Sequence, residues 1–246
     1  MPKPKTKESL KEIYALMVES LRATIPDIDD NIMHYRTVNY HNWNDDNFLE
    51  SIAEVIFSSY LGWETVEKRW PAITKAFSCF DVNEVASYTD KDVRRLMKVP
   101  GMIKYEPKVR GIVQNAKRMQ EIIKEYGSFR NYVCFYPYDL KQDLLGRFYG
   151  LGLTGKQKVV LDFMKEMGFP VIKDDKHIRR VVHRLDLTNS EDVEQEEILR
   201  IGKEIAVAVR ERMPVIDCVF WSFGHYICKA KPECGKCRLT KICKQK

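Results

Sequence analysis

Long apolar runs and strand-like alternation are both scarce in this sequence. No run approaches the ~18 consecutive apolar residues that a membrane-spanning helix requires. The first residues, MPKPKTK, lack the apolar core of a signal peptide. The most strand-like run, VCFYPY (133–138), is short and interrupted by proline. We therefore expect a cytoplasmic, all-α protein, large enough at 246 residues for one large domain or two modest ones.

Apolar residues recur at helical spacing along almost the whole chain. In the stretch 6–25 they form one stripe that includes Leu10, Ile13 and Met17. Asn44 or Asp45 is suited to cap the helix that follows, and Thr89 or Asp90 to cap a later one. The pattern predicts further helices over 63–77, 82–88, 90–98, 107–125, 138–148, 156–167, 176–185, 191–212 and 214–227.

Cysteine is unevenly distributed. Of seven cysteines, four lie within residues 228–243, and in a reducing compartment such clustering favours a metal over disulfides. The other three, Cys79, Cys134 and Cys218, have apolar neighbours in the sequence and are predicted to lie in the core. The net charge of +6 is only a mild indication of a polyanionic partner.

The clustered cysteines are spaced Cys228-x5-Cys234-x2-Cys237-x5-Cys243. Four thiolates suit both zinc and a 4Fe-4S cluster, so the ligand type leaves both open. Zinc ribbons usually pair one C-x2-C with a second, whereas the outer cysteines here are single. The spacing therefore favours iron–sulfur over zinc, with four ordinary free cysteines as the third alternative.

The segment HYICKAKPECGKCRLTKIC resembles the carboxy-terminal cluster of endonuclease III and its adenine-glycosylase relatives, in the helix-hairpin-helix DNA glycosylase superfamily. That family has six residues between its first two cysteines, and this chain has five. The resemblance implies a structural 4Fe-4S cluster, with zinc as the alternative. It also implies that Lys229, Lys231 and Lys236, together with Arg238 and Lys241, face the DNA backbone. The alternative for these residues is a solvated basic tail.

The same superfamily places its catalytic aspartate in an Asp-x-His-Ile motif at the start of a helix. Asp175, followed by Lys-His-Ile, matches this motif, whereas its neighbour Asp174 does not. Loss of a base leaves positive charge on the deoxyribose, which a positioned carboxylate stabilises by about 3–4 kcal/mol in comparable sites. The alternative is that Asp174 and Asp175 merely cap the helix 176–185.

A hairpin turn in this superfamily binds a DNA phosphate through backbone N–H groups. The matching residues are Gly152, Leu153, Thr154 and Gly155, with Leu153 where the family has its first glycine. Lys156 and Lys158 follow this turn. The resemblance therefore predicts that Gly152, Leu153, Gly155, Lys156 and Lys158 contact DNA.

The alignment of this hairpin also bears on mechanism. Family members that cleave the strand use a lysine that forms a Schiff base with the sugar. A gapless alignment places Gln157 at that position, eighteen residues before Asp175, and buries Val159. A one-residue shift would place Lys156 there and bury Lys158. We favour the gapless alignment, which predicts a monofunctional enzyme that uses water.

The segment 61–119 resembles 3-methyladenine DNA glycosylase I. The shared features include Trp63-Glu-Thr-Val, the DKDVRRLM helix, Gly101-Met-Ile and Lys108. The base-reading glutamate of that family would fall at Val55, with Glu54 one place away, and its zinc ligands are missing.

A glycosylase extrudes its target nucleotide and fills the gap in the stack. The turn SSYLGW (58–63) lies where relatives carry the inserted residue, so Tyr60 is the candidate for insertion. Trp63 or Trp43 is a candidate to stack on the extruded base. For each of these aromatic residues, packing in the core is the alternative.

These observations predict an all-α, two-lobed helix-hairpin-helix glycosylase. Residues 48–168 would form a helical barrel ending in the hairpin, and 1–47 with 169–246 would form the iron–sulfur domain. The predicted function is monofunctional removal of alkylated purines such as 3-methyladenine from double-stranded damaged DNA, by a monomer at the nucleoid. The alternatives are a bifunctional glycosylase/AP lyase for oxidised bases, a uracil or mismatch glycosylase, and a non-catalytic iron–sulfur DNA-binding module.

Overall fold

A computed structural model of the chain describes residues 6–136, 139–152 and 158–244. Within these ranges the regular secondary structure is helical throughout. None of the described helices combines the length and the hydrophobicity that crossing a bilayer demands. The α-helices are α1 (Lys7–Arg22), α2 (Ile28–Thr37), α3 (Asp45–Ser58), α4 (Trp63–Glu67), α5 (Trp70–Ala76), α6 (Val82–Ser87), α7 (Asp90–Leu96), α8 (Glu106–Tyr126), α9 (Phe129–Phe135), α10 (Leu140–Arg147), α11 (Lys158–Glu166), α12 (Lys176–Arg184), α13 (Gln195–Val209) and α14 (Met213–Tyr226).

The contacts divide the chain into two units. Unit 1 contains the residues up to Val38 and those from Lys165 onward, and unit 2 contains Asn39–Met164. The sequence-based division places residues 165–168 in the barrel, whereas they belong to unit 1. It also assigns residues 39–47 to the other lobe. In the structure they pack within unit 2, where Arg130 Nη1 donates to the His41 carbonyl at 2.9 Å and the Trp43 ring lies 5.1 Å from Phe48.

Helix α3 organises unit 2 through the acidic residues at its start. Asn44 caps the helix, accepting the Asn47 N–H at 2.9 Å, which confirms one of the two predicted caps. Asp45 instead accepts the N–H of Phe129 at 2.8 Å, at the start of α9. Asp46 accepts the N–H of Val82 at 2.9 Å, at the start of α6. One turn of α3 therefore satisfies the first N–H groups of two other helices.

The core of unit 2 is aromatic. Phe77 stacks on Phe80 with ring centroids 5.5 Å apart, and Phe57 meets Phe77 edge-on at 6.2 Å. The largest fully buried aromatic side chains in the described part of this unit are Phe48, Phe57, Phe77, Phe80, Phe129, Tyr132 and Phe163. Each ring of this size buries a large apolar area, which helps the short helices around it to form a core.

Helix α9 is absent from the sequence-based prediction, which gives no element to the residues before VCFYPY. Gly127 ends α8 in a left-handed conformation, with φ 81°, and Ser128 caps α9 by accepting the Asn131 N–H at 3.0 Å. Phe129, Tyr132 and Val133 form its buried face. A glycine followed by a capping serine is a signal that would have located this helix.

Unit 1 is built around α14, whose buried side chains cover most of its circumference, as expected of a central helix. Helices α1, α2, α12 and α13 pack against it. The main core contacts involve the apolar stripe of α1, including Ile13 and Met17, and the residues Val215, Val219 and Phe223 of α14. Helix α12 contributes Ile178, Val181 and Val182 to the same core.

The three cysteines outside the carboxy-terminal cluster do not share one environment. Cys218 is buried on α14, as predicted. The prediction is wrong for Cys79 and Cys134, which are exposed. Cys79 lies in a turn with φ 53°, outside the helical path that would direct it inward, and Cys134 lies on the outer face of α9, just after Val133. Apolar neighbours in sequence therefore did not fix the direction of these side chains.

Candidate active site and nucleic-acid interface

Asp175 is the residue at which α12 starts. Its backbone is extended, and Oδ1 accepts the N–H of His177 at 2.6 Å, so it caps the helix. The side chain is only partly exposed. One carboxylate oxygen is thereby held by a backbone bond, and the geometry leaves the predicted cap and the predicted catalytic role compatible with each other.

Asp174 has a different environment from its neighbour. It is 5% exposed, and Arg179 donates to both of its carboxylate oxygens. The Asp174 N–H donates to Oε1 of Gln195 at 2.9 Å. Asp174 is thus neutralised by Arg179 of α12, and its N–H ties the start of α12 to Gln195 of α13, so its role is to hold the start of α12 in place.

The start of α12 rests on α14 at Gly224. A β-carbon at Gly224 would lie 2.6 Å from the His177 carbonyl oxygen, so only glycine allows this approach. Arg180, which is buried, donates from Nη2 to the Gly224 carbonyl at 2.8 Å and from Nε to the Cys228 carbonyl at 2.7 Å. The helix that carries Asp175 is therefore fixed to the end of α14 and to the first cysteine of the cluster.

His177 forms the side of this arrangement next to Asp175. Burial lowers the pKa of His177, and the charge of Arg180 acts in the same direction, while Asp175 opposes the shift. The ring lies 5.1 Å from that of His225, which stacks on Trp221 at 4.6 Å. The neutral imidazole of His177, packed among the rings of His225 and Trp221, therefore lies beside the candidate catalytic carboxylate of Asp175.

The four clustered cysteines all lie in unit 1. Cys228 is buried, Cys237 and Cys243 are half-buried, and Cys234 is exposed. Arg184 Nη1 donates to Cys228 Sγ at 3.3 Å, and the Leu239 N–H donates to Cys237 Sγ at 3.4 Å. Over the described ranges, no group of three or more His, Cys, Asp or Glu side chains is arranged as a metal site.

The loop between these cysteines exposes its lysines, but two of them share one partner. Lys229 and Lys236 each bring Nζ within 2.5 Å of a different carboxylate oxygen of Glu233. Hydrogen bonds from these two lysines lower the pKa of Glu233 to about 2. Lys231 is exposed on the same loop. The basic surface predicted from sequence therefore contains an acidic residue at its centre.

The predicted hairpin is only partly within the described ranges. Leu153, Gly155, Lys156 and Gln157 lie outside them. Gly152 is exposed in the preceding turn, and α11 begins at Lys158. Val159 is 3% exposed, and the Val160 N–H donates to the Leu151 carbonyl at 3.1 Å. Helices α10 and α11 thus border the turn on either side.

The approach to this hairpin is held by Asn115, whose role the sequence reasoning missed. Asn115 is 1% exposed; its Nδ2 donates to the Tyr149 carbonyl at 3.0 Å and its Oδ1 accepts the Tyr149 N–H at 2.8 Å. The Tyr149 ring lies against Gly111, where a β-carbon would come within 2.0 Å of it. A buried amide and a glycine on α8 therefore position the backbone that leads into the hairpin.

The candidate base-contacting aromatics differ in exposure. Tyr60 is 80% exposed and has a positive φ of 63°, and Trp63, at the start of α4, is 40% exposed. Trp43 is half-buried against Phe48. Val55, at the position of the base-reading glutamate of the related family, is 7% exposed, and Glu54 beside it is half-buried. The structure thus exposes Tyr60, on the turn between α3 and α4, and Trp63, at the start of α4.

Comparison with known proteins finds that this chain is similar to DNA glycosylases. Residues 34–143, just under half of the chain, match the family model of methyladenine glycosylases. The structure is similar to that of 3-methyladenine DNA glycosylase I from Staphylococcus aureus, with 24% identity, a TM-score of 0.50, and coverage of 62% of this chain and 90% of that one. It is also similar to the Methanocaldococcus jannaschii 8-oxoguanine glycosylase/lyase in complex with DNA containing 8-oxoguanine. That match has 16% identity, a TM-score of 0.59, and coverage of 85% of this chain and 95% of that one.

These comparisons support the predicted all-helical glycosylase fold, because the described residues form helices throughout and the structure is similar to those of the two glycosylases. The family match includes the whole segment 61–119, so the resemblance of that segment to methyladenine glycosylases is confirmed, and with it the predicted enzyme class. Neither Asp175 nor the clustered cysteines fall within residues 34–143.

Proposed function

We propose that this chain is a DNA glycosylase that hydrolyses the N-glycosidic bond of alkylated purines, such as 3-methyladenine, in duplex DNA. The observation that carries the proposal is the methyladenine-glycosylase match over residues 34–143. Tyr60, on the turn between α3 and α4, and Trp63, at the start of α4, lie inside this match. Asp175 lies outside it, at the start of α12.

The chemistry assigned to Asp175 is electrostatic. An alkylated purine is electron-poor, so its bond to the sugar is already weakened and departure of the base needs little acid catalysis. The sugar then becomes cationic, and the carboxylate of Asp175 stabilises it or orients the attacking water. The bond from the His177 N–H keeps Oδ1 in place, and burial keeps the His177 ring neutral, without adding positive charge beside the carboxylate.

The remaining proposed roles belong to DNA binding. Tyr60 fills the space left by the extruded nucleotide, and Trp63 or Trp43 stacks on the base. The backbone around Gly152 and Gly155 binds a phosphate, with Lys156 and Lys158 beside it. Lys229, Lys231 and Lys236 contact the phosphates through the carboxy-terminal loop, for which their exposure is the support.

The proposal specifies a monofunctional enzyme. Burial of Val159 supports the gapless alignment, in which Gln157 takes the position of the strand-cleaving lysine. The test uses duplexes that contain 3-methyladenine, 8-oxoguanine or uracil, with base release and strand cleavage measured separately. We expect release of 3-methyladenine, strand cleavage only after added alkali, and no borohydride-trapped adduct.

Each alternative has its own result in this test. Spontaneous strand cleavage, with a borohydride adduct that Lys156→Ala abolishes, would establish the bifunctional enzyme instead. Preferred release of uracil would establish a uracil or mismatch enzyme. DNA binding without release of any base from the panel would favour the non-catalytic module.

We also propose that Cys228, Cys234, Cys237 and Cys243 hold a 4Fe-4S cluster that stabilises the loop, with zinc as the alternative. The chemistry of the donors supports the assignment, because all four side chains are thiols and Arg184 and the Leu239 N–H donate to two of the sulfurs. Binding would have to bring the thiols together, since over the described ranges they are not arranged as a metal site. Burial raises the pKa of Cys237, and Cys228, Cys243 and Cys234 add to the shift, as expected of thiols near enough to repel one another when ionised.

Iron, sulfide and zinc analysis of anaerobically purified protein tests this assignment. We expect brown protein that contains iron and acid-labile sulfide, and colourless protein after Cys237→Ser. The Cys79→Ser variant, outside the cluster, is the control and should keep its iron. Stoichiometric zinc in the wild-type protein would replace the iron–sulfur assignment, and a metal-free folded loop would overturn both.

A further inference from the structure

Lys108 is a buried lysine on the first turn of α8, in unit 2. It is 5% exposed, and burial lowers the pKa of its ammonium group to about 8. In the described part of the chain its hydrogen-bond partners are backbone carbonyls, with no carboxylate among them. A buried cation without a counter-ion is costly to maintain, so the groups that it contacts indicate what it is for.

Both partners of Lys108 lie where α3 ends. Its Nζ donates to the Phe57 carbonyl at 3.0 Å and to the Ser59 carbonyl at 2.5 Å. Carbonyl groups at the end of a helix carry the negative pole of the helix dipole, which favours a cation there. Lys108 therefore serves as a carboxy-terminal cap supplied from another helix.

Within the described part of the chain, the carbonyls at the end of α3 accept hydrogen bonds from backbone N–H groups and from Lys108. The Ser59 N–H donates to the Val55 and Ile56 carbonyls, at 3.2 and 3.3 Å, and the Leu61 N–H donates to the Ser58 carbonyl at 3.1 Å. The carbonyls of Phe57 and Ser59 accept hydrogen bonds from Lys108. Removal of the ammonium would leave these two acceptors to find water or a new backbone conformation.

The residue directly after Ser59 is Tyr60. Its φ of 63° lies in the left-handed region, which is unfavourable for a residue with a β-carbon. Its side chain is 80% exposed, so the ring points away from the core of unit 2. The Ser59 carbonyl belongs to the peptide group that joins Ser59 to Tyr60, and the hydrogen bond from Lys108 fixes the plane of this group.

We propose that Lys108 is a positioning residue that holds the turn between α3 and α4 rigid, so that Tyr60 is presented outward for insertion into DNA. This inference rests on the proposed function, in which Tyr60 fills the space of the extruded nucleotide. Lys108 acts only through this turn: it touches neither DNA nor the reacting atoms. An ordered turn saves the entropy of arranging the inserted residue during each encounter.

The test compares Lys108→Met, which keeps the length of the side chain and removes its donors, with Lys117→Met, an exposed position on the same helix. Excision of 3-methyladenine is followed under single-turnover conditions, and extrusion is followed by the fluorescence of 2-aminopurine placed beside the lesion. We expect Lys108→Met to reduce both the excision rate and the fluorescence change by about tenfold. Affinity for undamaged duplex should stay within about twofold, and Lys117→Met should match the wild type on every readout.

A double-mutant cycle separates positioning from a general loss of structure. If Lys108 acts through Tyr60, Lys108→Met in a Tyr60→Ala background should slow excision by less than about twofold further. Independent, multiplicative effects of the two substitutions would overturn the inference, as would wild-type excision and extrusion by Lys108→Met.

Folding is checked by circular dichroism and thermal denaturation. If Lys108→Met does not fold, Lys108→Gln replaces it in the same cycle, because an amide can still donate to one of the two carbonyls. Wild-type protein that excises no base would refute the proposed function. Active wild-type protein with an unaffected Lys108 variant would refute this inference alone.

Discussion

Arg179 forms two hydrogen bonds with the carboxylate of Asp174, from Nε to Oδ1 and from Nη2 to Oδ2, the latter at 2.6 Å. Asp174 lies just before the cap residue of α12 and Arg179 lies one turn into the helix, and the bidentate pair gives Asp174 a structural role. In the next residue, Asp175, one carboxylate oxygen accepts the His177 N–H, and the side chain stays partly exposed. Two adjacent aspartates are thereby given different tasks by their surroundings.

Substitution of Asp175 by Asn should reduce single-turnover excision by about 10²–10³-fold, because the neutral amide no longer stabilises a cationic sugar. Asparagine is also a good helix cap, so the melting temperature should change little. Affinity for lesion-containing duplex should remain. Unchanged excision by this variant would remove Asp175 from the mechanism.

Asp174→Asn provides the matched control for that experiment. It removes the buried carboxylate partner of Arg179, which keeps its hydrogen bond to the exposed carboxylate of Asp192, and we expect a loss of about 2 kcal/mol in the free energy of unfolding. Excision per folded molecule should fall much less than for Asp175→Asn. Urea titration and single-turnover kinetics on the two variants separate the two roles.

Replacement of Gly224 by Ala should displace the start of α12, because the new β-carbon would lie 2.6 Å from the His177 carbonyl oxygen. We expect a loss of about 1–3 kcal/mol in the free energy of unfolding. Excision should also slow, with affinity for undamaged DNA retained. Gly146→Ala on α10, where a β-carbon would meet no atom within 4 Å, is the control and should be neutral or slightly stabilising. Equal melting temperatures and excision rates for the two variants would contradict this packing argument.

Glu233 should compete with DNA phosphate for Lys229 and Lys236, since it holds both ammonium groups at 2.5 Å. The Glu233→Gln variant should bind duplex DNA several-fold more tightly at low salt. Its logarithmic salt dependence should be steeper by about 1 to 2. Glu204→Gln, which breaks an exposed pair with Arg200 on α13 and changes the charge equally, is the control. Equal affinities for the two variants would argue that this loop lies away from the DNA.

Glu166 should make the free energy of unfolding fall as the pH is lowered below the usual pKa of a glutamate. Burial favours a raised pKa, but the charge of Lys165 and hydrogen bonds from His34 and Tyr35 outweigh it and lower the pKa of Glu166 to about 2. Because the pKa is lower in the folded state, the stabilisation is present above about pH 4.5 and is lost as the pH falls towards 2. At neutral pH, Glu166→Gln should therefore reduce the free energy of unfolding by about 2–3 kcal/mol.

The difference between wild type and Glu166→Gln should shrink as urea denaturation is repeated from pH 6 to pH 3. Glu12→Gln, an exposed substitution on α1 of the same unit, should follow the wild-type curve at each pH. A constant difference across this range would show that Glu166 does not carry the titration.

Local signals predicted most of the helices correctly. The stripe of α1, the Asn44 cap of α3 and the Thr89 cap of α7 are short-range features, written in consecutive residues. Asp175 was located through a four-residue motif, and the methyladenine-glycosylase segment through its helical signatures. The side-chain directions of Cys79 and Cys134 were wrong, because hydrophobic neighbours in sequence do not determine which face of a turn or short helix is buried.

The amino-acid sequence by itself determined the helical class, the glycosylase resemblance and the candidate acid at position 175, because periodicity, caps and motifs need only neighbouring residues. Tertiary structure decided which groups act together. Lys108 reaches the end of α3 across 49 and 51 residues of chain, and Arg180 reaches Gly224 across 44. Such contacts depend on how the helices pack. The hydrogen bonds from the Lys108 ammonium to two carbonyls, and the close approach of Gly224 to the His177 carbonyl, can therefore be seen only in the folded structure.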